Sequence, residues 1–202
     1  MVFTDFKSLA QVQQEYNIKY SEDNFISYID LKHSDDFRNE FDFNLENIDV
    51  FTSEASRCEN VIYPILREVY KSFVDKYTLW SHKSITYDHK LTGTPDYLIS
   101  TKSELGKTIL GLPLVVVVEA KQNNFIEEWA QCLAELIAAQ KMNQNETKPV
   151  YGIVTDGELW QLGRLVGDIF TKEKTRIAIT DLDKLFGAIA FLLADFKRLE
   201  IS

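Results

Sequence analysis

The chain has 202 residues, 45% of them hydrophobic, and a net charge of −9, which suits one compact domain with a sizeable core. No run approaches the roughly 18–20 apolar residues that cross a bilayer, and the opening MVFTDFK lacks the basic lead and apolar stretch of a secretory signal. Charge is uneven, with 13 acidic and 5 basic side chains in residues 1–60 against 18 and 17 in residues 61–202; the missing basic face argues against a tight free-standing nucleic-acid binder.

Taken in chain order, residues 4–17 show helical spacing at Phe6, Leu9 and Val12, with Thr4 as the candidate cap. Residues 21–50 are acidic and rich in phenylalanine, compatible with short helices or an irregular arm. TSEASRCENVIYPILREVYKSFV predicts a long helix capped by Ser53, apolar at Val61, Ile65, Leu66, Val69 and Phe73, with Pro64 kinking it or sitting at an early-turn break. A strand is expected over 78–90, a turn at Gly93-Thr94-Pro95, and a second strand from Asp96. LPLVVVVEAK, residues 112–121, predicts a third strand, apolar on both faces. FIEEWAQCLAELIAAQKMN is strongly helical, with Ile126, Trp129, Ala130, Leu133, Leu136, Ile137 and Gln140 at i, i+3, i+4 spacing. KPVYGIVTDGELWQLGRL gives two strands about an Asp156-Gly157 turn. Residues 168–179 offer another strand, and a closing helix starts at Thr180 or Asp181. The order is helix, three strands, helix, strands, helix, which predicts an α/β layer structure around one mixed sheet flanked by helices.

The third strand raises a chemical question. Residues i and i+2 of a strand share a face, so Glu119 and Lys121 emerge together. Two charges ending a buried strand are costly unless they are paired, bind metal or touch solvent. Asp96 supplies a second acid at the start of the preceding strand. Two such carboxylates make a hard oxygen site suited to Mg²⁺, and a nearby lysine can stabilise charge developing on a phosphate.

PD at 95–96 followed by EAK at 119–121 resembles the PD-(D/E)xK, or restriction-endonuclease-like, nuclease superfamily. The αβββαβ order of that core matches the elements expected over residues 53–156. SEASRCENVIYPIL resembles the segment that begins the nuclease domain of type I restriction subunits, and YGIVTDGELWQLGRL looks like the strand pair that follows there. The resemblance implies an Mg²⁺-dependent hydrolase of phosphodiester bonds, with Mn²⁺ as a substitute. By it, Asp96, Glu119, the main-chain carbonyl of Ala120 and Glu54 would hold metal, Lys121 would orient or activate water, and Gln131 would position substrate or lysine. It also implies nucleic acid, DNA before RNA, as the partner, and is compatible with a homodimer or with a protein partner that supplies specificity. The chain departs from restriction enzymes in having no added DNA-reading domain. A catalytically silent member of the fold, acting as an interaction or regulatory module, is the alternative.

Plainer readings exist for each residue. Glu119 and Lys121 could be a strand-end ion pair, Glu54 a first-turn acid complementing the helix dipole, and Gln131 the polar edge of an apolar stripe. Glu59 rivals Glu54 as the helix acid. Trp129 and Trp160 read as core, and His33, His82 and His89 as surface or core residues without ligand spacing. GKT at 106–108 lacks the first glycine of a phosphate loop, Thr101 standing there, and precedes a strand instead of following one. No GxSxG occurs. Cys58 and Cys132 lie far apart and form no zinc-type cluster, which points to a reduced, cytoplasmic setting. Residues 1–50 are expected as an acidic appended extension and 51–202 as the nuclease-like domain.

Overall fold

The computed structural model describes residues 3–120 and 125–198. A 3-10 turn, Phe3–Asp5, precedes helix α1 (Leu9–Tyr16). Ser8, not Thr4, caps α1: its hydroxyl accepts from the Gln11 N–H, and the Gln11 side chain accepts from the Ser8 N–H. This reciprocal box satisfies two backbone donors at once, which moves the helix start four residues past the expected one. Strand β1 (Lys19–Asp23) and helix α2 (Asp35–Asn47) follow, so the acidic stretch holds both a strand and a helix. Ser34 caps α2, and its N–H and hydroxyl both donate to the carboxylate of Glu68.

Ser53 caps the next helix as expected, accepting from the Ser56 N–H. Helix α3 (Glu54–Arg57) runs through a π turn, Cys58–Ile62, into α4 (Tyr63–Lys71). The widened turn accommodates Pro64, which has no N–H to donate and whose ring crowds the carbonyl one turn back.

The strands are β2 (Tyr77–Ser81), β3 (Ile85–Thr86), β4 (Thr92–Gly93), β5 (Tyr97–Thr101) and β6 (Leu114–Ala120). The single strand expected over 78–90 is therefore two. The chain turns at His82, whose φ of +49° breaks the extended run. Helix α5 (Phe125–Asn143) leads to β7 (Val150–Thr155), β8 (Leu159–Val166), β9 (Ile169–Glu173), β10 (Ile177–Ala178) and α6 (Leu182–Arg198). In the β7–β8 turn Gly157 takes φ +89°, and the Asp156 carboxylate accepts from the N–H groups of Glu158 and Leu159. Asp181, one of the two expected caps, accepts from the Lys184 N–H at the start of α6.

The main sheet runs β1-β9-β8-β7-β6-β5-β2, with β10 added on β8, while β3 and β4 form a separate hairpin. β2, β5 and β6 are antiparallel neighbours; β6 and β7 are parallel, joined by the α5 crossover. This is an α/β fold with a central mixed sheet flanked by helices. β6 is buried along its whole length because both faces are covered. Val116 and Val118 share a core with Ile65, Leu66, Phe186 and Leu192 of α4 and α6. Leu114 and Val117 share one with Trp129, Leu133 and Leu136 of α5. Trp129 and Trp160 are both fully buried core residues.

The acidic N-terminal segment is packed into this arrangement. β1 pairs in parallel with β9 at the far edge of the sheet. Phe3, Phe6 and Val12 are buried on the α5 side. Phe37 and Phe41 stack at 5.2 Å on the α6 side.

Candidate active site

Pairing of Tyr97 with Val118 sets Asp96, one residue before β5, level with Glu119 near the end of β6. Asp96 is fixed from two directions. Its backbone carbonyl accepts from the His82 N–H at 2.9 Å, and its Oδ2 accepts from the Ala120 N–H at 2.7 Å. The two acids of the PD and EAK segments thus stand side by side at one end of the sheet, Glu119 within β6 and Asp96 at the entry to β5. Lys121 lies outside the described residues.

Glu119 turns toward α5. Its Oε2 accepts from Gln131 Nε2 at 2.7 Å, and the same nitrogen donates to Glu135 Oε1 at 3.2 Å. Gln131 and Glu135 are four residues apart on α5 and therefore share a face. One amide bridges two carboxylates whose residues are only 1% and 0% exposed. Of the outlets open to a charge ending a buried strand, solvent is thus excluded for Glu119. Gln131 is brought onto an acid of the EAK segment rather than left as a polar edge.

Asp96 also lines a cavity of about 380 Å³, together with Glu54, Cys58, Glu59, His82 and Tyr97, among others. The π turn carries Cys58 and Glu59, and α3 carries Glu54, so both rival helix acids reach this cavity. Glu119 and Gln131 do not line it. Burial pushes the Cys58 thiol up to about 11, and the charges of Asp96, Glu54 and Glu59 push the same way. A thiol so raised stays protonated near neutral pH, so cysteine nucleophilic chemistry is disfavoured here. Burial also raises the Tyr97 phenol, whose hydroxyl donates to the Cys58 carbonyl.

Two residues of the neighbourhood were not singled out as functional by the sequence. Glu135 is a charged residue inside an otherwise apolar helical stripe, a signal that was there to read. His82 lines the cavity, with Nε2 at 3.7 Å from Asp96 Oδ1; no ligand-spacing motif contains it.

Glu54, Glu59 and Asp96 line one cavity, and carboxylate oxygens are the donors a hard cation takes. Among the described residues, however, no group of three or more His, Cys, Asp or Glu side chains is gathered to hold a metal ion. Cys58 and Cys132 are both free thiols. Among the described residues, no helix is long and apolar enough to cross a membrane.

No protein-family model matches the chain, and no curated protein matches it. Among solved structures it is similar to a chain of a DrdV–DNA complex determined by cryo-electron microscopy, with a TM-score of 0.43 and 16% sequence identity. The match covers 81% of this chain but only 14% of that one.

Proposed function

We propose that the chain is a metal-dependent nuclease of restriction-endonuclease-like fold, hydrolysing phosphodiester bonds of nucleic acid, DNA before RNA. The observation that supports this reading is that Asp96, one residue before β5, lies beside the end of β6, where its Oδ2 accepts from the Ala120 N–H next to Glu119. The two acids sit within the succession of α3–α4, β2, β5, β6, α5 and β7, which is the αβββαβ order of that superfamily.

Asp96, Glu119, the Ala120 carbonyl and Glu54 would hold Mg²⁺, or Mn²⁺ in its place, with Glu59 as the rival of Glu54. When bound, the metal supplies a Lewis acid for the phosphoryl oxygens and a more acidic water. The chain's own residues do the rest. The Ala120 N–H orients the Asp96 carboxylate by holding Oδ2, which leaves Oδ1 on the side of His82 and the cavity. Gln131 orients Glu119. Lys121 would orient the attacking water and stabilise the negative charge that builds on the phosphate as the P–O bond to the sugar breaks. A chain of net charge −9 gains little affinity from the phosphate backbone, so a second copy or a protein partner would supply grip and specificity. The acidic segment 1–50 is proposed as an elaboration on the nuclease-like part of the chain.

One observation favours a second reading, a silent member of the fold serving as an interaction module. Glu119 is buried beneath Gln131, away from the cavity that Asp96 and Glu54 share. Cleavage assays separate the two. The nuclease should cut at least one of single-stranded, double-stranded or nicked DNA, or RNA, with Mg²⁺ or Mn²⁺ and not with a chelator. Absence of cutting, together with no metal-induced rise in melting temperature, supports the module.

A further inference from the structure

We infer that His82 is a substrate-positioning residue that donates a hydrogen bond to a phosphodiester oxygen in the cavity. The inference rests on the nuclease reading and names the group that meets its substrate.

The carboxylates of Glu54, Glu59 and Asp96 are acceptors only when ionised, and so are the oxygens of a phosphodiester. A phosphate entering this cavity therefore needs donors on its wall. Among the described lining residues His82 carries the only side-chain nitrogen, beside the hydroxyls of Ser81 and Tyr63. Two contacts hold its ring, and a backbone hydrogen bond fixes its main chain. Nδ1 lies 2.9 Å from the Ser81 hydroxyl. The ring meets Tyr97 edge-on, with centroids 6.2 Å apart. Its backbone N–H is bonded to the Asp96 carbonyl. The Ser81 hydroxyl can donate to Nδ1, the arrangement that puts the ring hydrogen on Nε2. That nitrogen is 3.7 Å from Asp96 Oδ1, too far for a hydrogen bond. The side chain is 62% exposed, so an incoming oxygen can reach it.

His82 also has φ +49°, a left-handed value at which glycine is at ease and which asparagine, aspartate and histidine adopt more readily than other side chains.

The left-handed φ provides a clean test. His82→Gly removes the imidazole at a φ that glycine adopts freely, so it should keep the melting temperature. His82→Asn keeps an N–H donor on a residue that tolerates positive φ. The probe is the thymidine dinucleotide TpT, with Ca²⁺ in place of Mg²⁺, followed through the imidazole signals by NMR; the signal lost in His82→Gly identifies His82. The expected result is that TpT shifts the His82 signal, that His82→Gly binds TpT at least fivefold more weakly, and that His82→Asn recovers part of the loss. Equal binding by His82→Gly, shifts confined to the other histidines, or no TpT binding overturns the inference. Cleavage that persists unchanged in His82→Gly removes the role of His82 and leaves the nuclease reading standing. TpT binding at His82 without cleavage under any metal does the reverse.

Discussion

The Asp96 carboxylate accepts a hydrogen bond from the backbone N–H of Ala120 at 2.7 Å. This single contact ties the acid that precedes β5 to the residue standing between Glu119 and Lys121. It makes the geometry of the proposed site depend on Asp96 before any metal arrives. Asp96→Asn keeps an oxygen that can accept from Ala120, so the fold should survive with little change. Asp96→Ala loses the bond and should cost about 1.5–3 kcal/mol, the usual range for a hydrogen bond to a charged group. Urea denaturation of the two variants checks this. Equal stability losses would mean that the Ala120 contact contributes nothing.

Gln131 donates to both Glu119 and Glu135. Gln131→Leu takes that donor from two buried carboxylates, which should cost about 1–3 kcal/mol at neutral pH. Urea denaturation of the wild type and Gln131→Leu at neutral pH checks this. Equal stability of the two would show that the bridge contributes nothing.

Burial tends to raise the Glu68 carboxyl, but the Lys71 ammonium and the two donors of Ser34 outweigh burial and hold it below the ordinary value of 4.5. A depressed folded value gives stability that is complete above the unfolded value and is lost as pH falls through the folded one. Glu68→Gln should lower the melting temperature near neutrality, and the difference should close well below pH 4.5. Because Glu68 holds the cap of α2, hydrogen exchange should rise first at the α2 N-terminus. Exchange that rises elsewhere would remove Glu68 from that role.

Excising residues 1–50 takes away strand β1 and the buried rings of Phe3, Phe6, Phe37 and Phe41. Four such rings at about 1.5–3 kcal/mol each rival the whole net stability of a domain, about 5–15 kcal/mol. The remaining fragment should be insoluble or should melt without cooperativity, which circular dichroism reads directly. A folded, cooperative fragment would show that the segment is dispensable.

The sequence revealed the elements whose periodicity was strong. The valines of β6, the i, i+3, i+4 pattern of α5 and the Asp156-Gly157 turn were all legible, because burial on two faces, burial on one face and a left-handed turn each leave a distinct pattern. Ser53 was legible as a cap; Ser8 was legible too, through the Ser-x-x-Gln spacing, but Thr4 was read in its place. β1, KYSED, was hidden because an edge strand with little burial carries no apolar alternation. The break at His82 was hidden because the modest preference of histidine for positive φ does not single out one position. Asp96, Glu119 and Gln131 were found by spacing and resemblance. Which face of β6 Glu119 occupies, and that it bonds Gln131 beside Glu135, depended on tertiary packing that no local pattern carries.

The central claim is that Asp96 belongs to a metal site and that Lys121 acts in the chemistry without being a ligand. The most direct measurement pairs cleavage with metal-dependent melting in Asp96→Ala and Lys121→Ala. A ligand that binds only the folded state raises its melting temperature by mass action. The wild type should cut nucleic acid with Mg²⁺ or Mn²⁺ and melt higher in their presence. Asp96→Ala should lose both responses. Lys121→Ala should keep the metal-induced rise and lose cleavage by about 10²-fold or more, as removal of a charge-stabilising donor does. A wild type that neither cuts nor responds to metal, or an Asp96→Ala variant that keeps its metal response, would contradict the account.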